Sequence, residues 1–172
     1  NGCLATRAVV VATSNGPQVL TATIVHAACG NANGSVTAAA GGGVGALQYS
    51  INGTVYQVGT VFNGLAAGSY TLYVRDVNGC IKSIPVTILN LPAPAITATT
   101  SPATCGANDG TITAEATGGT GALSYSINGV TFQASNVFTG LGAGAYIVTV
   151  KDSRNCITTT TPHILTRNTL WI

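Results

Sequence analysis

Charge is what this sequence has least of. Of its 172 residues only 6 are Lys or Arg and 4 are Asp or Glu, 6% in all, where an ordinary soluble domain carries about 25%. The six cations, Arg7, Arg75, Lys82, Lys151, Arg154 and Arg167, are scattered, so no basic cluster exists to neutralise a row of phosphates and nucleic-acid binding is not expected. Long apolar runs are lacking too. The stretch between Arg7 and Thr13 falls far short of the ~20 residues of a membrane-spanning helix, and no membrane span is expected. Catalytic constellations are missing as well: there is no G-x-S-x-G elbow and no Walker loop. The four acids, Asp76, Asp109, Glu115 and Asp152, form no duplicated acid–base pair, and His26 and His163 share no position. Zinc sites need closely spaced ligands such as C-x₂-C, and none is present. Neither an enzyme nor a cofactor is expected.

What is there favours strands. Threonine occurs 26 times and glycine 22 times, with no methionine; β-branched residues and glycine in such numbers suit strands joined by tight turns. A duplication organises them. Residues 29–80 laid over 105–156 without a gap give 27 identities in 52 positions, an offset of 76. Asn1-Gly2-Cys3 matches Asn78-Gly79-Cys80 at an offset of 77, and Ile172 falls on Ile96, the start of a repeat's first strand. The division expected is 1–17 as the last strand of a preceding repeat, 18–92 and 93–166 as complete repeats, and 167–172 as linker and start of a following one.

Within each repeat Leu47, Tyr49 and Ile51, Tyr70, Leu72 and Val74, and their counterparts Leu123, Tyr125 and Ile127, Tyr146, Val148 and Val150 alternate with small or polar residues, the period of half-buried strands. Asn33-Gly34, Asn52-Gly53, Asn63-Gly64, Asp109-Gly110 and Asn128-Gly129 supply turns. The fold class predicted is all-β, two small sandwiches joined by the stiff Leu91-Pro92-Ala93-Pro94 linker. Identical spacing, 51 positions in each repeat, predicts disulfides Cys29–Cys80 and Cys105–Cys156 and an oxidising compartment; Cys3 is left unpaired within this chain.

The order Cys-Gly-x-x-(Asp/Asn)-Gly-(Ser/Thr)-(Val/Ile)-Thr, Gly-Gly-x-Gly-Ala-Leu-x-Tyr-Ser-Ile-Asn-Gly, Gly-Leu-x-Ala-Gly-x-Tyr and Val-x-Asp ahead of Cys occurs in both copies. It resembles the SprB-type repeat, found in tandem in long cell-surface adhesins of gliding bacteria. The resemblance implies a non-catalytic, immunoglobulin-like module that is extracellular, displayed at the cell surface and exported by the type IX route. It carries over no ligand-binding residue. Tyr70 and Tyr146 enter their strands as tyrosine corners do and are expected to be structural. Gly42-Gly43-x-Gly45 and Gly118-Gly119-x-Gly121 read as turns, since no helix N-terminus follows to form a phosphate cradle. Asp76 and Asp152 are the only acids repeated in both copies; hydrogen bonding to their own turns is favoured over Ca²⁺ binding, and no metal is expected. Asn33 and Asn52 stand in glycosylation sequons.

Two functional classes follow. One is a structural stalk of tandem units, whose partners are neighbouring repeats of the same array and other copies of the fibre. The other is a module binding a surface glycan, for which the repeated aromatic pair Tyr56/Phe132 is the only candidate platform. The stalk is favoured, as a continuous array in preference to a filament of strand-exchanged subunits.

Overall fold

The computed structural model describes residues 15–167. The first unit runs β1 (Pro17–Val25), β2 (Ala27–Ala28), β3 (Gly34–Gly42), β4 (Gln48–Ser50), β5 (Val61–Leu65), β6 (Gly68–Arg75), β7 (Ile81–Ile88) and β8 (Asn90–Leu91). The second runs β9 (Ala95–Ser101), β10 (Ala103–Thr104), β11 (Gly110–Thr117), β12 (Ser124–Ser126), β13 (Val137–Leu141), β14 (Gly144–Ala145), β15 (Val148–Lys151), β16 (Ile157–Thr160), β17 (His163–Ile164) and β18 (Thr166–Arg167). All described elements are strands, as predicted.

In the first unit the sheet β1-β3-β5 faces the sheet β4-β6-β7, and β2 pairs in parallel with β8. The second unit repeats this as β9-β11-β13 against β12-β15-β16, with β14-β17 extending the latter and β10 parallel to β18. Each unit is a small immunoglobulin-like sandwich. One local difference has a simple cause. In the first unit β6 and β7 pair without interruption from Gly68↔Ile88 to Arg75↔Ile81, and Tyr70 faces Val86. In the second, proline stands at the position of Val86: Tyr146 N–H donates to Pro162 O at 3.1 Å, but Pro162 has no N–H to return. The ladder therefore breaks into β14/β17 and β15/β16. Pro85 causes no such break because it stands one residue earlier than the Val86 position, at the alternate pair facing Thr71, where an edge strand's N–H points away from the sheet.

The alternating residues build the cores. Tyr49, Leu72 and Val74 are buried with Leu20, Val36, Val86 and Ile88, and Leu47, Ile51 and Tyr70 pack against them. Tyr125, Val148 and Val150 are buried with Ile112, Phe138 and Ile164, flanked by Leu123, Ile127 and Tyr146. All twelve alternating positions thus belong to the two cores.

The cysteines pair otherwise than their spacing predicts. Within one unit the two cysteines lie at opposite poles of the sandwich. Gly16, just before β1, abuts Cys80 so closely that a Cβ on it would sit 2.7 Å from the cysteine Cβ. Cys29 follows β2, beyond the far end of β1, and its N–H donates to Leu91 O at 3.0 Å. The nine residues of β1 rise about 30 Å between these places, whereas a disulfide requires Cα atoms within about 7 Å. The expected Cys29–Cys80 bridge is excluded by that distance, and the matching strands exclude Cys105–Cys156. Instead Cys29 is bonded to Cys156, with Cα atoms 5.4 Å apart and 127 positions between them in sequence. One disulfide joins the two units, in place of one inside each. Cys80 and Cys105 carry free thiols among the described residues; Cys3 and the rest of the N-terminal segment expected to be a preceding strand lie outside them.

Candidate functional site

The feature that the duplicated sequence did not disclose is the junction between the units, held by residues of two turns. The β15–β16 turn carries Cys156. Its shape is set by Asp152, which is buried and accepts from Arg154 N and Cys156 N at Oδ1, both at 2.9 Å, and from Thr120 N at Oδ2, at 2.8 Å. Burial pushes this carboxyl's pKa up, but the N–H groups of Cys156, Thr120 and Arg154, with the Arg154 charge, outweigh it and hold the group below the usual aspartate value. Asn155 takes a left-handed φ of 64° just before Cys156, a conformation asparagine tolerates better than most residues; Gly79 does the same before Cys80. On the other side of the junction the Cys29 turn is closed by Asn31 N donating to Ala28 O at 3.1 Å and by Asn33 Oδ1 accepting from Ala28 N at 2.8 Å. Beside the disulfide, Arg154 Nη1 donates to His26 O at 3.1 Å, so a second contact accompanies the covalent one.

The other residues singled out from sequence are occupied by the fold. Asp76 repeats the Asp152 arrangement, accepting from Asn78 N, Cys80 N and Val44 N at 3.1, 2.9 and 3.1 Å. Both carboxylates are thus turn-forming acceptors, and among the described residues no three His, Cys, Asp or Glu side chains converge as metal ligands would. Tyr70 and Tyr146 donate through their hydroxyls to Ala66 O and Gly142 O, each at 3.0 Å, the geometry of a tyrosine corner. Gly42, Gly43, Gly45, Gly118, Gly119 and Gly121 all have φ between 72° and 81°, and a Cβ on Gly43 or Gly119 would press within 3.2 Å of Asp76 or Asp152. The glycines let the loop close over the aspartate.

Asn33 and Asn52 are both exposed, yet their carbonyl oxygens also close turns: Asn52 Oδ1 accepts from Thr54 N and Val55 N at 2.9 and 3.1 Å. Asp109, at the Asn33 position of the second unit, makes the same bond to Thr104 N at 2.7 Å. His26 Nδ1 accepts from Leu89 N at 3.2 Å, and His163 lies on β17 in the other unit. Tyr56 and Phe132, the candidate glycan platform, each have a cation over the ring: Arg75 lies 4.1 Å from the Tyr56 centroid and Lys151 4.0 Å from that of Phe132. Arg75 and Lys151 are themselves duplicates, so this cation–π pair is a repeated part of the fold. An open groove of about 350 Å³ lies between the Asn128-Gly129 turn and Tyr146, Ile147 and Thr149. Among the described residues no buried side-chain polar atom lacks a partner.

Residues 97–132 match the family model described as SprB repeat, the family whose pattern the sequence resembles. Among curated proteins none matches the chain. Similar solved structures include the insect immune protein hemolin, at 16% identity over 88% of this chain and 46% of that one with a TM-score of 0.38. Murine CEACAM1b is similar at 12% identity over 87% of this chain and 100% of that one, with a TM-score of 0.35. The tandem Ig repeats of Dlar are similar at 15% over 90% and 100%, with a TM-score of 0.26. The chain spans about half the length of hemolin. No helix among the described residues is long and apolar enough to cross a membrane.

Proposed function

We propose that this chain is a non-catalytic segment of a tandem array in a bacterial cell-surface adhesin, an extended stalk that works in adhesion or gliding motility after export by the type IX route. One observation carries the reading: the disulfide joins the facing poles of successive sandwiches, so it ties one unit to the next and closes a loop that holds most of both. A catalytic or ligand-binding domain has no need of such a link, whereas a stalk that must keep its length does. The SprB-repeat match supports the surface location, and a disulfide suits an oxidising compartment. The rival reading, a glycan-binding module, is less favoured because Arg75 and Lys151 each occupy one face of the two repeated aromatic rings.

Electron microscopy of the oxidised chain beside its Cys29→Ser variant tests the stalk. The oxidised chain is expected to show two lobes at one fixed angle, while the variant shows a measurably wider spread of angles about the Leu91–Pro94 linker. Equal spreads in both proteins, or saturable binding of the chain to a glycan array, would overturn the proposal.

A further inference from the structure

The structure assigns Cys105 and Cys80 to the two open ends of a repeating covalent staple: Cys105 of one unit bonds to the cysteine at the Cys80 position of the next unit along. The inference deepens the stalk reading and rests on it for the nature of the partner, a further repeat of the same build. The bond already present defines the rule. Cys29 stands at the far pole of the first unit, after its second strand, and Cys156 at the near pole of the second, in the turn that Asp152 forms. Cys105 is the duplicate of Cys29, and Cys80 is the duplicate of Cys156. The pair therefore presents, at the two outer poles of the described units, the same two half-sites that are joined between them.

Burial shows what the joined half-sites gain. Cys156 is 1% exposed, whereas its duplicate Cys80 is half-buried and free; Cys29 is half-buried, whereas its duplicate Cys105 is exposed and free. In each case the cysteine that faces a neighbouring unit is the more covered. The unpaired half-sites also keep the means for the accompanying contact. Asn78 stands where Arg154 stands and Pro102 where His26 stands, and both are exposed. The acceptor at the existing junction is a backbone carbonyl, which proline supplies as well as histidine, and an asparagine amide can donate in place of a guanidinium. Such an interface is heterologous and head-to-tail, so each copy keeps one open half-site for the next.

Oxidised glutathione serves as the oxidant. The Cys105 thiolate attacks one sulfur of the glutathione disulfide, forming a mixed disulfide and releasing one glutathione thiol. The Cys80 thiolate of the next unit then attacks the Cys105 sulfur and releases the second. Two protein thiols are oxidised to one disulfide, and one glutathione disulfide is reduced to two thiols that take up the two protons.

The test uses a second copy of this chain as the neighbouring repeat, in a Cys3→Ser background so that only the two assigned thiols remain free. Treated with oxidised glutathione, the protein is expected to form a ladder at multiples of 17.1 kDa on a non-reducing gel, with peptides joining Cys105 of one copy to Cys80 of another. Adding Cys80→Ser or Cys105→Ser should stop each protein at the monomer, and mixing those two variants should yield one dimer and nothing larger. Symmetric Cys105–Cys105 or Cys80–Cys80 junctions, an intramolecular Cys80–Cys105 bond, or no linkage while Cys29–Cys156 stays intact would overturn the staple and leave the stalk standing. Loss of the Cys29–Cys156 bond itself would instead remove the basis of both.

Discussion

Pulled from its two ends, the oxidised chain will refuse to release the segment between Cys29 and Cys156, and adding a reducing thiol will free about 440 Å of further contour length, at ~3.5 Å for each of the 127 residues of separation. Load entering through β1 reaches Cys29, crosses the disulfide to Cys156 and leaves through the last strands, so nearly the whole of both sandwiches lies outside the force path. Only β1, β2 and the strands after Cys156 can be stripped while the bond holds. Bridges inside each repeat would behave differently, since each would hide a loop of 51 residues and reduction would release two steps of about 180 Å. Single-molecule force spectroscopy, with and without reductant, distinguishes one large step from two small ones. A stalk built this way resists shear through a covalent bond, whatever the strength of its small hydrophobic cores.

Replacing Asp152 by alanine is expected to lower the stability of the second unit by about 4 kcal/mol, because the N–H groups of Thr120, Arg154 and Cys156 lose a shared charged acceptor and hydrogen bonds to a charged partner contribute ~1.5–3 kcal/mol each. For a unit of this size that corresponds to a fall of roughly 15–30 °C in its melting temperature, at 4–8 °C per kcal/mol. Asp76→Ala should act likewise on the first unit, while Glu115→Gln, at an exposed position of β11, should stay within ~0.5 kcal/mol. The sign of the pH dependence follows from the lowered pKa. The carboxylate's contribution is fully present above the ordinary aspartate range and is lost as the pH falls through the lower value of the folded state. Asp152→Asn keeps one oxygen acceptor but no charge, so its melting temperature should fall by less than that of the alanine variant and should lose this acid-side dependence. Calorimetry from neutral to acid pH, resolving the two units, provides the check.

Much of the molecule was legible in its sequence, and the part that was not has a definite physical reason. The 76-residue duplication, the alternating strands and the Asn-Gly turns are local patterns, and local hydrogen bonding realises them directly. Tyr70 and Tyr146 behave as their Gly-x-Tyr context predicts, and so do the left-handed glycines of the two GG-x-G loops. The disulfide pattern is not local. Spacing of 51 positions says only that the four cysteines occupy two kinds of place; it is compatible both with a bridge inside each unit and with one between units. What decides is which pole each place occupies, and that depends on how many times the chain reverses between Cys29 and Cys80. A signal was nevertheless available. Cys29 follows the first strand and Cys80 precedes the last, and because the first and last strands stack in parallel, the start of the first strand lies beside Cys80, as the Gly16 contact shows. The cation over each repeated aromatic was hidden for the same reason, since Arg75 and Tyr56 meet only once β6 passes beside the Tyr56 loop.

The covalent link between units is the centre of this account, and the measurement that bears on it most directly is mass-spectrometric mapping of proteolytic peptides from the unreduced chain, with free thiols blocked at acid pH before digestion. In the monomeric chain, not treated with oxidised glutathione, a single species joining the Cys29 peptide to the Cys156 peptide is expected, with Cys80 and Cys105 recovered as blocked thiols. Recovery of Cys29 joined to Cys80, or of Cys105 joined to Cys156, would contradict it.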